Sequence, residues 1–119
     1  MEKDFKKYYG DILAVSESIR FVGTIDFQGD ILSQSKRFGI KELVENGMLQ
    51  SLYSFTTSMN LHFKDYKDKL GELKWNVACL DKVNLITVIQ NESMLIISTE
   101  SDADPLKIIN NVKKIMKNY

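Results

Sequence analysis

The chain has little of what most chemistry requires. Its 119 residues include one cysteine and one histidine. A single cysteine cannot found a disulfide framework, and one cysteine with one histidine cannot complete a zinc site. Net charge is also missing, since sixteen basic residues cancel sixteen acidic ones. A neutral chain projects no long-range field toward DNA, RNA or an anionic membrane, so no nucleic-acid partner is expected. Membrane insertion is not expected either, because no apolar run approaches the roughly 18 residues a spanning helix needs. The opening MEKDFKKYYGD is charged where a signal peptide would be apolar. Neither GxxxxGK[ST] nor GxGxxG occurs, so neither nucleotide-binding fingerprint is present. A soluble, cytoplasmic, non-enzymatic protein of one domain spanning residues 1–119 is the expectation, with no cofactor.

What the chain does have is an uncharged stretch of eighteen residues, NGMLQSLYSFTTSMNLHF from Asn46 to Phe63. A surface helix normally turns a charged side to water. At helical spacing Leu52, Phe55, Met59, Phe63, Tyr66 and Leu70 form one stripe, read here as the face packing on a core. The other side carries Leu49, Gln50, Tyr53, Ser54, Thr57, Ser58 and Leu61 without a lysine or glutamate among them. The expectation is a helix with protein on both sides, its outer neighbour most simply a second copy of the chain.

Around that helix, Asp4 to Ser18 place Phe5, Tyr8, Tyr9, Ile12 and Leu13 at helical spacing, interrupted by Gly10. Arg20 to Asp26 and Ile31 to Arg37 flank a Gly29-containing turn, a hairpin signal. Gly23 within the first strand implies close approach by another side chain, such as one from a helix. Asn46 is the expected cap of the uncharged helix, which should run through Asp68 and stop near Gly71. Leu73 to Leu80, Val83 to Gln90 and Met94 to Thr99 then follow with separators of hairpin length, predicting an antiparallel meander. The last two strands are apolar on both faces and should be central, whereas LKWNVACL is expected toward an edge. Asp104 before Pro105 marks the cap of a closing helix whose stripe is Leu106, Ile109, Val112, Ile115 or Met116, and Tyr119. The order is α-β-β-α-β-β-β-α, an α+β chain in which three helices cover both faces of a five-stranded, mostly antiparallel sheet.

That order resembles the roadblock family, the dynein-light-chain-type domains of the profilin-like and longin-like group. The hairpin IRFVGTIDFQGD at Ile19 to Asp30 and the strand end LIISTE at Leu95 to Glu100 carry the resemblance. The layout is also similar to that of small uncharacterised archaeal proteins. The resemblance implies a three-layer α-β-α sandwich and a dimer in which the central helix and the following strand meet their counterparts. It further implies a scaffold or regulator, with a small GTPase or another protein as partner. The self-interface expected here comprises Leu49, Tyr53, Thr57 and Leu61 on the helix and Lys74, Asn76 and Ala78 on the strand.

The remaining candidates have simpler readings. Cys79 alternates with Trp75 and Val77 and is expected to be a buried thiol. His62 flanks the helix stripe as a packing or interface residue. Glu100, Asp102 and Asp104 raise the question of a cation, but capping and the helix dipole account for carboxylates at that place. Glu17, Asp26 and Asp30 have no spacing that argues for a pair of catalytic carboxylates. No catalytic or metal-binding residue is therefore assigned. Lys113, Lys114 and Lys117 suit a helix C-terminus. The alternative to a scaffold is a small-molecule sensor with a cavity under Phe55, Met59 and Phe63, and with Trp75, Tyr53 and Tyr66 as lining aromatics.

Overall fold

The computed structural model describes residues 5–43 and 46–119, the side chains of 46–49 excepted. The elements are α1 (Phe5–Leu13), β1 (Ile19–Ile25), β2 (Ile31–Lys36), α2 (Asn46–Lys64), α3 (Lys67–Leu70), β3 (Trp75–Cys79), β4 (Val83–Ile89), β5 (Met94–Glu100) and α4 (Pro105–Met116). Only the one-turn α3 departs from the expected order. It arises because α2 ends at Lys64 and a turn at Asp65–Tyr66 precedes Lys67. Gly71, at a φ of 87°, then closes α3 in a left-handed conformation that favours glycine. The expected cap, Asn46, is the first residue of α2, and its side chain lies outside those described.

The five strands pair antiparallel throughout, in the order β2-β1-β5-β4-β3. Strands β5 and β4 are central, as their two apolar faces require, and β3 is an edge. On one face α1 and α4 cover the larger core, built from Tyr8, Ile12, Val22, Ile86, Leu95, Ile97, Ile109 and Val112 among others. Burial of each such side chain is worth about 1.5–3 kcal/mol. On the other face α2 covers a smaller cluster, in which Tyr53 packs with Ile25, Met94 and Ile96. The three-layer arrangement follows from the strand alternation. In β5, Leu95 and Ile97 face α1 and α4 while Met94 and Ile96 face α2.

Local chemistry fixes the joints. The β1–β2 turn is held by Asp26, whose Oδ1 accepts from the backbone N–H of Gln28 and of Asp30, each at 2.9 Å. Gly29 sits in it at a φ of 89°. Arg37 donates to the carbonyl oxygens of Leu13, Ser16 and Ile19, tying the end of β2 to the α1–β1 connection. Gly23 does mark a close approach, but its own strand supplies the neighbour. A Cβ there would stand 2.9 Å from Cζ of Phe21, whose ring lies over the glycine. In α4, Leu106, expected on the inward stripe, is exposed, and Ile108, not expected there, is buried beside Ile109 and Val112.

Asp104 caps α4 as its position predicts, accepting from the N–H of Leu106 and of Lys107. Asp104→Ala is expected to lower unfolding free energy by about 1 kcal/mol, read by urea denaturation. A second expectation concerns alkali. Burial pushes the Tyr53 hydroxyl up to about 12. It does the same to Tyr8, with its neighbours Tyr9 and Tyr119 adding to the effect. Both groups therefore favour the folded state while neutral. Their contribution is complete below the unfolded value near 10 and is lost as pH rises from there through about 12. Phenolate absorbance should show these two tyrosines ionising late and together with unfolding.

Candidate functional site

The uncharged helix presents the opposite face to that expected from its apolar stripe. Tyr53, Thr57 and Asn60 point inward, with exposures of 4%, 7% and 3%. Outward go Leu52, Phe55 and Phe63, exposed by 39%, 68% and 42%, with half-buried Met59 among them. The cause is what lies beneath. The helix crosses the β1–β2 turn, where the backbone comes so close that only small side chains fit. A Cβ on Gly29 would stand 3.4 Å from Oγ1 of Thr57 and 3.7 Å from Cα of Ser54. Gln50 Nε2 donates to the Gly29 carbonyl oxygen at 3.1 Å, and Thr57 Oγ1 donates back to the Tyr53 carbonyl oxygen at 3.0 Å. Phenylalanine and methionine have no room at Ser54 and Thr57, where the helix meets the turn, while Tyr53 packs beyond it on the sheet.

The contact residues expected from the sequence therefore separate. Tyr53 and Thr57 are corrected, because both are enclosed by their own chain and offer nothing to a second one. Leu61 is 53% exposed on a flank of the outer face. Leu49 falls among the residues whose side chains lie outside those described. Lys74, just before β3, and Ala78 on it are exposed, and Asn76 is half-buried. Asn76 is opposite Thr87 and Ala78 opposite Leu85, so both share the α2 side of the sheet. Among the described residues, the far side of β3 has no strand neighbour. Among the described residues, Asn76 Nδ2 is buried and has no hydrogen-bond partner within the chain. An outward apolar helix face and an unpaired strand edge thus occur in one chain, with no charged side chain on the helix face between Leu52 and Phe63.

Other candidates resolve simply. Cys79 is exposed, contrary to expectation, because it ends the edge strand beyond the larger core that holds Trp75 and Val77. His62 lies on the exposed side of α2. Glu100 pairs with Arg20 at 2.7 Å, and Asp104 caps α4. Among the described residues, no group of three histidine, cysteine or acidic side chains is placed to hold a metal ion. Phe63 borders a cavity of about 490 Å³, but Phe55 and Met59 do not line it, so it is not the cavity expected under all three. Tyr53 is core, Tyr66 is exposed, and Trp75 lines a separate cavity of about 390 Å³. Among the described residues, no helix is long and apolar enough to cross a membrane.

A five-stranded antiparallel sheet between one helix and a helix pair, with this order, is the roadblock and profilin-like α+β fold. The solved structures similar to it include the gliding protein MglB of Thermus thermophilus, at a TM-score of 0.74 and 13% identity over 97% of this chain and 87% of that one. A Roadblock/LC7 domain from Streptomyces avermitilis is similar at a TM-score of 0.73 and 10% identity, covering 98% of this chain and 94% of that one. Profilin IA of Acanthamoeba castellanii is similar at 0.60 and 13% identity over 98% and 100% of the two chains. These superpositions, at identities this low, establish a shared fold alone. No protein-family model matches the chain, and no curated protein matches it.

Proposed function

We propose that the protein is a non-enzymatic scaffold or regulatory module that acts as a homodimer. One observation carries this reading. The apolar stripe of α2, led by Phe55, is turned away from its own core and toward water. A stripe of this kind normally finds a partner, and a twofold contact is the simplest way for one surface to cover itself. The interface we assign contains Leu52, Phe55, Met59, Leu61 and Phe63 from the helix, Lys74 from the entry to β3, and Asn76 and Ala78 from β3. Pairing of β3 with its counterpart would satisfy its free edge and join two sheets into one.

The roadblock resemblance adds the class of client. A small GTPase is the partner we propose for the composite surface of helices and joined sheet. Calorimetric titration with a panel of purified small GTPases, each loaded with GDP or with a GTP analogue, tests this. Binding to one of them with a preference for one nucleotide state is the expected result. Failure across the panel, with the dimer intact, would remove the GTPase from the reading and leave the assembly.

A further inference from the structure

Two cavities meet at the end of the sheet where the chain leaves α3 for β3 and turns from β4 to β5. The larger, about 490 Å³, lies on the α2 side, and the smaller, about 390 Å³, lies on the α4 side. They share Glu72, Leu73, Ile89, Gln90 and Asn91, so this strip of chain is a rim between two hollows. We propose that the rim and both hollows form one binding site for an acidic segment of a partner protein bearing apolar side chains, a site that borders the assigned self-interface and shares Phe63 and Lys74 with it.

Charge selects the occupant. Lys64 and Lys67 line one hollow and Lys74, Lys113 and Lys117 the other, against the single carboxylate of Glu72. In a chain whose charges cancel overall, five cations to one anion is a marked local excess. It attracts negative segments over distances of about a Debye length, ~8–10 Å at moderate salt. Lys64 is steered toward the hollow, its Nζ lying 4.5 Å from the centre of the Phe27 ring.

The hollows themselves are not merely charged. Phe27, Phe63 and Ile89 wall the first, and Trp75, Val88 and Met116 wall the second. A small inorganic anion would leave that apolar surface unused, whereas a peptide can seat one side chain on each side of the rim. Asn60 gives a polar reason as well. It lines the first hollow, is 3% exposed, and among the described residues its Nδ2 has no partner. Buried amides are normally hydrogen-bonded, and a small rotation of Asn60 toward the hollow would let a backbone carbonyl of a bound segment accept from it.

Selection from a display library of random linear peptides tests the proposal, followed by fluorescence anisotropy on the selected sequence. Selected peptides are expected to carry net negative charge and at least one large apolar residue. Their affinity should fall as salt rises, and by about tenfold in the Lys64→Glu, Lys113→Glu double variant. Both lysines are exposed, so this variant should keep the wild-type melting temperature. Binding should persist in Phe55→Glu, which addresses the self-interface alone, so failure of one proposal is distinguishable from failure of the other. No enrichment, enrichment of neutral or basic sequences, or an affinity unchanged in the double variant would overturn the proposal. Displacement of the selected peptide by millimolar inorganic phosphate at constant ionic strength would overturn it in favour of a small-anion site.

Discussion

Phe55→Glu should convert the protein to a monomer of 13.7 kDa while leaving its fold intact. The side chain is 68% exposed in the isolated chain, so the fold has little to lose. It lies on the outermost line of α2, at the centre of the proposed dimer contact, and an aromatic anchor at such a place typically contributes about 2 kcal/mol or more. Twofold symmetry counts the change twice. The dissociation constant should therefore rise by about a thousandfold, beyond which an unpaired carboxylate in the contact adds a further penalty. Light scattering coupled to size exclusion reads the mass, and circular dichroism should show an unchanged spectrum. A variant that remains dimeric would exclude Phe55 from the interface.

The same substitution two positions along the helix should have the opposite consequence. Thr57→Glu is expected to unfold the chain or lower its melting temperature by roughly 10 °C or more, through a loss of about 3 kcal/mol. Thr57 is 7% exposed and stands against the turn at Gly29, where a longer charged side chain has neither room nor a partner. Such a loss is a large share of the ~5–15 kcal/mol that holds a small domain together. Thr57→Val, close in shape, should cost far less. A folded, monomeric Thr57→Glu protein would mean that the residue faces outward, and the orientation of α2 would have to be reversed.

These two positions also mark the limit of what could be read beforehand. The order of elements was legible because each rested on a local signal: alternation in β4 and β5, the Gly29 turn, and Asp104 before Pro105. That the uncharged helix has two faces to account for was legible too, from its lack of charge. Which face went inward was not. Apolar periodicity assigns the stripe of Phe55 and Phe63 to the core by default. The actual choice depends on a distance between α2 and the β1–β2 turn that no local pattern encodes. A pointer existed in the small or polar residues Gln50, Ser54, Thr57 and Asn60, which recur at helical spacing opposite a hairpin glycine. Cys79 failed for a related reason. Alternation along β3 gives its side correctly, but not that the strand outruns the core covering it. Asn60 belonged to that polar line, but nothing in the sequence showed that it would border a hollow at the sheet end.

The most direct test is the solution mass of the unaltered protein, followed by light scattering as it is diluted through the low-micromolar range. The account predicts a mass twice that of the chain, persisting on dilution until dissociation sets in as a single transition. A mass of one chain throughout would contradict it, because the outward face of α2 would then be bare in the free protein and would have to be covered by a different molecule.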